Sequence, residues 1–354
     1  MSRFGIQLKR LRHMKHTIKI VILSLCAVLV LNSCNKRNHT PDTPDQKTLI
    51  GFTPLSQDVA VKALEDNNLA NYHQDFGVWG IASQNNISNP TPYILWNQTT
   101  MARVVAVEDE SSTAQNKYTG AFSPVTPAYW LANNTYNFIA VAPFEAVDPT
   151  KNTSALVMNS TTKTLTFNYN IASKYTAGTY DFDLLGAVAS QEVKTTKPSS
   201  QELNFWHLLT KLSINVEFVG TIGEVTAMRL QNIDATAAYT ITEDSNGIRV
   251  VCTSVSDGEG EQQNVTLTPS KNVIHLLPQD ISDFELYLDF EIGEGDNKVS
   301  TSNFKCILDK AKEDPDYQYN EQYNWIIKIS PKTIDFDVKV TPWGKGGSFD
   351  FDIQ

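Results

Sequence analysis

Histidine and cysteine are scarce, at six and four in 354 residues. No HExxH, CxxC, GxSxG or glycine-rich phosphate loop occurs. The short signatures of a metalloprotease, a redox dithiol, a hydrolase nucleophile and a nucleotide site are therefore all missing. Positive charge is also in deficit: 29 Lys and Arg stand against 39 Asp and Glu, a net charge of −10. Residues 1–33 hold six of the basic groups and no acid, so the chain without them has 23 basic against 39 acidic groups, or −16. A surface that acidic repels phosphate and argues against nucleic-acid binding. No segment sustains a 3.6-residue apolar period over three turns, which excludes a helical bundle. The longest uncharged apolar run is twelve residues, Ile20–Leu31, about 18 Å as a helix and too short for a ~30 Å hydrocarbon core.

What is present is a core and a targeting segment. Hydrophobic residues make up 41% of the chain and charged ones 19%, a globular rather than disordered or coiled-coil composition. The length is about twice a ~150-residue domain, which predicts two domains or one long all-β unit. The basic stretch before Ile20–Leu31 and the small residues after it read as a secretory signal peptide over 1–33, with Met14 an alternative start. The apolar run ends Leu31-Asn32-Ser33-Cys34, the pattern of a bacterial lipobox, so Cys34 is the expected lipidation site. Residues 34–47 are polar and Pro-broken and are expected to be a flexible, lipid-anchored tether.

Beyond it, alternation predicts half-buried strands nearly everywhere. Leu165, Phe167, Tyr169 and Ile171 share one face; so do Leu212, Ile214, Val216 and Phe218; so do Phe284, Leu286, Leu288, Phe290 and Ile292; so do Ile334, Phe336, Val338 and Val340. Tyr136–Val141 is more continuously apolar and predicts a strand buried on both faces. Short helices are allowed near 58–67 and 309–313. The expected fold is all-β, two β-sandwiches in tandem, with the polar stretch Ser190–Gln201 as the junction between 48–200 and 201–354.

Candidate chemistry is thin. His73, His207 and His275 each sit in or beside an apolar run and read as structural. Cys252 and Cys306 read as buried free thiols, with a disulfide as the alternative. The acidic loops 257–261 and 293–297 and the Asp314-Pro315-Asp316 turn lack fixed ligand spacing, and read as solvated turns. Tyr93, Trp96, Tyr129 and Trp130 have the chemistry to stack on sugar rings, though core placement is the simpler expectation. No catalytic, cofactor-binding or metal residue is assigned, and no enzyme activity or cofactor is expected.

Six stretches in fixed order resemble the fimbrillin family of Bacteroidales, the FimA and Mfa-like lipoprotein pilins of type V fimbriae. They are Cys34 with Leu49-Ile50-Gly51-Phe52; Phe76-Gly77-Val78-Trp79-Gly80-Ile81; Tyr118, Ser123-Pro124-Val125 and Tyr129-Trp130; Tyr136 to Pro143; Asp183-Leu184-Leu185 with Leu203 to Leu212; and Leu276-Leu277-Pro278, Tyr323 to Ile329 and Pro342-Trp343. The resemblance implies two transthyretin-like β-sandwich domains and a structural role. It implies export as an outer-membrane lipoprotein held by lipid on Cys34, then a place in a surface fimbria supporting adhesion, with other fimbrial subunits as partners and a host or bacterial surface ligand possible. It also implies proteolytic removal of the first strand and its replacement by a neighbour's strand. Val61-Lys62-Ala63-Leu64 stands where relatives carry Arg or Lys before Ala, so the expected cut lies between Lys62 and Ala63. The expected donor strand is Ser348–Gln354, with Phe349, Phe351 and Ile353 on one face; an ordinary last strand is the alternative. A surface glycan-binding lipoprotein is the second functional reading.

Overall fold

The computed structural model describes residues 48–56, 75–88, 90–96, 101–108, 118–150, 156–180, 182–244, 247–254, 262–308, 311–313, 315–330 and 334–342. The signal segment, the tether with Cys34, the Lys62–Ala63 site, His73, the helix expected near 58–67, loop 257–261 and the Ser348–Gln354 strand all lie outside these residues.

The described chain is almost entirely β, as its alternation predicts. The first half supplies β1 (Thr48–Leu49), β2 (Phe52–Ser56), β3 (Phe76–Gln84), β4 (Tyr93–Trp96), β5 (Ala102–Glu108), β6 (Tyr118–Pro124), β7 (Tyr129–Trp130) and β8 (Asn134–Ala142). After β9 (Val157–Asn159) and β10 (Thr164–Asn170) come β11 (Leu185–Val193) and β12 (Gln201–His207). Eight of these form one sheet in the order β4-β3-β5-β6-β2-β12-β11-β8, and β8 pairs again with β3. Seven strands, β3 to β8 by that path, thus close into a ring, with β4 alongside β3. Residues 194–200, in the polar stretch read as a junction, connect β11 to β12 within this ring.

Closure explains the burial of β8. Tyr136, Phe138 and Ala140 belong to a core inside the ring with Ile50, Phe52, Phe76, Val78, Trp96, Phe122, Trp130 and Phe205. Ile139 and Val141 point the other way, into a second core with Trp79, Leu165, Phe167 and Tyr239. Both faces are covered, so the strand reads as a continuous apolar run. Gly80 is glycine for a steric reason: a Cβ there would sit 2.9 Å from the Trp96 ring and 3.2 Å from Leu95 and Phe138.

The outer core is shared with a four-stranded antiparallel sheet in the order β16-β15-β10-β9, where β15 is Thr236–Asp244 and β16 is Gly247–Ser254. Phe167 and Tyr239 lie directly opposite each other and stack at 5.4 Å and 14°. The second half adds β13 (Thr210–Phe218), β14 (Gly223–Asp234), β17 (Gln262–Leu267), β18 (Val273–Leu276), β19 (Gln279–Asp280), β20 (Glu285–Ile292), β21 (Val299–Lys305), β22 (Asp316–Tyr317), β23 (Glu321–Ile329) and β24 (Ile334–Pro342). Two four-stranded sheets, β18-β13-β23-β24 and β17-β14-β20-β21, bury Leu212, Ile214, Trp325 and Ile327 with Met228, Leu230, Leu288 and Phe290 in one cluster. This is sandwich packing of alternating strands. The outer face of β14-β20-β21 carries a polar ladder, with Arg229 bidentate on Asp289 at 2.6 and 2.7 Å and Lys305 on Glu285 at 2.5 Å.

Among the described residues helix is confined to short pieces. The turn expected near 309–313 is a 3-10 turn, Ala311–Glu313. An α-helix of five residues, Ala172–Thr176, is too short to show a period in sequence.

Candidate functional site

The site of interest is the first strand and the two edges it joins. β1 lies antiparallel to β7, with Thr48 opposite Trp130 and Leu49 opposite Tyr129. The Ile50 amide then donates to the Ala128 carbonyl at 2.9 Å, and the Gln201 amide donates to the Gly51 carbonyl at 2.8 Å. From there β2 runs parallel to β12, Phe52 opposite Gln201 through Ser56 opposite Phe205. On its other side β2 meets β6 at a single pair, Phe52 with Phe122. Pro54 has no amide to give a ladder, so one edge of β2 is firmly bonded and the other barely.

Side chains supply what that weak edge lacks. Ile50 and Phe52 are wholly buried, two residues apart and on one face. The Phe52 ring sits 5.4 Å from Phe138, 6.2 Å from Trp96 and 6.3 Å from Phe76, mostly edge-on or tilted. Leu49 and Leu55 face outward. Taking away 48–56 would open the ring between β6 and β12. It would strip hydrogen-bond partners from Gln201–Phe205 and leave two apolar holes where Ile50 and Phe52 sat. An extended strand with apolar residues at i and i+2 is the shape that refills such a groove.

The profile of the fimbrillin-like family matches residues 62–343. The chain belongs to the fimbrillin-like family. Among solved structures, a fimbrial protein from Bacteroides vulgatus is similar at 13% identity over 83% of this chain and 99% of its own, with a TM-score of 0.50, and shares the fold. The tip fimbrial protein Mfa3 from Porphyromonas gingivalis, with a C-terminal truncation, is similar at 12% identity over 85% of this chain and 100% of its own, with a TM-score of 0.40. No curated protein matches the chain. Three of the sequence stretches that carry the family likeness are walls of the closed ring, with Phe76–Ile81 in β3, Tyr136–Ala142 in β8 and Leu203–His207 in β12, while Tyr323–Ile329 lies in β23 of another sheet.

The described groups among those considered for chemistry in this fimbrillin-like chain fall into structural places; His73, loop 257–261 and Asp314 lie outside the described residues. His207 is buried with Nδ1 2.6 Å from the Asp183 carboxylate. His275 is buried with Nδ1 against the Phe182 carbonyl, and its own carbonyl accepts from the Tyr175 hydroxyl at 2.8 Å. The two histidines, 68 residues apart in sequence, thus brace neighbouring residues of the one segment leading into β11. Asp183 was not foreseen as a partner, because nothing local in sequence links it to His207. Among the described residues no group of three or more His, Cys, Asp or Glu is placed to hold a metal ion. Cys252 and Cys306 are free thiols. Burial pushes both up to about 12, with the Tyr239 hydroxyl working against that rise at Cys252. The 293–297 loop is an exposed turn, and Asp316 pairs with Asp280 between β22 and β19. Of the four aromatics considered for sugar stacking, Trp96 and Trp130 are core residues, while Tyr93 and Tyr129 are about one-third exposed.

The expected cut site Lys62–Ala63, the lipidation site Cys34 and the donor residues Phe349, Phe351 and Ile353 lie outside the described residues. The last described strand, β24, is paired with β23 from Ile334 opposite Ile329 to Pro342 opposite Glu321 and forms the edge of its sheet. Sequence reading missed the acceptor side of the groove. β12 lies some 147 positions from β2, as the Thr53–Ser200 hydroxyl contact at 2.9 Å illustrates, and only the closed topology brings them together.

Proposed function

We propose that this fimbrillin-like chain is a structural subunit of a surface fimbria, exported as a lipoprotein through Cys34 and assembled by β-strand addition. Family membership supports the fimbrial role at the cell surface. The observation that carries the assembly step is the seating of β2 and the residues leading into it: ladder-bonded to β12, nearly unbonded to β6, and held by the buried side chains of Ile50 and Phe52. A cut between Lys62 and Ala63 detaches it covalently. The Phe349, Phe351 and Ile353 face of a neighbour's C-terminal strand has the alternation to replace it. Heterologous strand addition does not close on itself, so it builds filaments. In this reading the exchangeable strand and the acceptor strand Gln201–His207 are neighbours in the one ring, and the donor comes from the end of the chain. The fimbria's outer end then supports adhesion to a host or bacterial surface.

The experiment is recovery of surface filaments and mass spectrometry of their subunits. The proposal expects this chain within them, beginning at Ala63, in multimers that heat dissociates. Recovery only as a monomer beginning at Cys34 and retained on polysaccharide would instead support the glycan-binding lipoprotein.

A further inference from the structure

Four partly exposed apolar side chains gather at the point where the described chain begins. Leu49 (50% exposed) lies opposite Tyr129 (37%), and Leu131 (49%) follows two positions on, outward like Tyr129, with buried Trp130 between them. Tyr93 (37%) hydrogen-bonds the Tyr136 hydroxyl. That hydroxyl in turn accepts from the Leu131 amide at 2.5 Å and lies 3.5 Å from the Tyr129 carbonyl. The four side chains therefore form one patch. The segments that carry it are free of charge in sequence: Phe76–Ala102, Tyr118–Phe144 and Thr48–Gln57 contain no Asp, Glu, Lys or Arg. Charged residues bonded to them include Glu192, on the Asn85 side-chain amide, and Lys194, whose carbonyl accepts from the Asn133 amide. In a chain of net charge −10 that is an exceptional distribution.

We infer that this patch, Leu49, Tyr93, Tyr129 and Leu131, rests on the bilayer that holds the chain's own lipid. The inference rests on the proposed lipidation of Cys34. Thirteen residues separate Cys34 from Thr48, so covalent length alone keeps the lipid within about 50 Å of the patch, whatever the path. An acidic protein is repelled by anionic headgroups, and a face poor in acidic groups is the one that approaches them closely. Tyrosine suits that depth, with an apolar ring and a wet hydroxyl. Exposed apolar patches of this kind mark membrane or protein contacts, and the position of the chain's entry favours the membrane. The patch also belongs to the uncut form alone. A cut after Lys62 removes Leu49 together with the tether, so maturation dismantles the contact and frees the subunit in one step.

Hydroxyl-radical footprinting of the full chain tests this, comparing native outer-membrane vesicles with Cys34→Ala protein from the soluble fraction. Oxidation of the four side chains should fall in the vesicles, while that of Val299 and Ile307, exposed on other elements, stays unchanged. Equal oxidation of the four in both samples overturns the inference and leaves the anchor intact, provided Cys34→Ala is released normally. Cys34→Ala protein that stays with the membrane overturns the anchor, and the inference with it. Protection of Tyr93, Tyr129 and Leu131, which the cut leaves in place, that persists in purified fimbriae free of lipid assigns their faces to a neighbouring subunit and overturns the membrane contact.

Discussion

Phe52→Ala isolates how the first strand is held. The ring is wholly buried and lies within 6.3 Å, centroid to centroid, of Phe76, Trp96 and Phe138. Truncating such a residue costs about 3–5 kcal/mol, a large part of a typical net stability of roughly 5–15 kcal/mol. The backbone does little to soften that loss, because β2 meets β6 at one pair only. The cost should therefore fall on local release of 48–56 before it falls on the whole sheet. A 3–5 kcal/mol shift raises the population of the released strand by about a hundredfold or more. Trypsin susceptibility of the uncut chain reads this directly, with urea unfolding as the companion measurement. Leu55→Ala is the control: same strand, outward face, expected within about 0.5 kcal/mol of the parent. Equal effects of the two substitutions would refute the claim that the buried face secures the strand.

His275→Ala should destabilise the fold by about 1–3 kcal/mol, since it strands the Phe182 carbonyl in the core. His207→Ala should cost less, because its partner Asp183 is partly exposed and can rehydrate; thermal unfolding of both checks the order. Arg229 and the Asn303 amide hold the Asp289 carboxyl down to about 2. A depressed folded-state value means stability that is present above about pH 4 and is lost as pH falls toward 2. The pair is part-buried but lies on the outer face of its sheet, where solvent still screens it, so Asp289→Asn should lose about 1 kcal/mol at pH 7, and urea titrations of mutant and parent should converge near pH 2.

Much of the fold is legible because alternation reports directly on which face a strand buries. Phe284, Leu286, Leu288 and Phe290 are buried along one face of β20 and its approach, as their spacing predicts. The continuous run in β8 is legible as two-sided burial, but not what covers each side. The inner cover is a ring closed by β2, and the outer cover is the β10–β15 sheet. Both depend on pairings between distant residues, which local spacing does not encode. β24 shows a limit of another kind: Val340 fits the alternating pattern yet is exposed, because an edge strand need not be covered. For the candidate site, Leu49 to Phe52 stood out through the family likeness, whereas the single-pair junction with β6 and the acceptor edge Gln201–Phe205 emerge only from topology.

The central claim is that the first strand blocks a groove that a second copy's strand can fill. While β2 is covalently attached, its local concentration is of millimolar order, and an incoming strand cannot compete. Cutting after Lys62 removes that advantage. The direct measurement is light scattering of the cut chain after size-exclusion chromatography, with and without Ser348–Gln354. The account predicts that the cut chain forms concentration-dependent oligomers lacking the 48–62 fragment, and that deletion of Ser348–Gln354 leaves the cut chain monomeric and folded. A cut chain that loses 48–62 and still remains a folded monomer at high concentration, with its C-terminal segment intact, would contradict it.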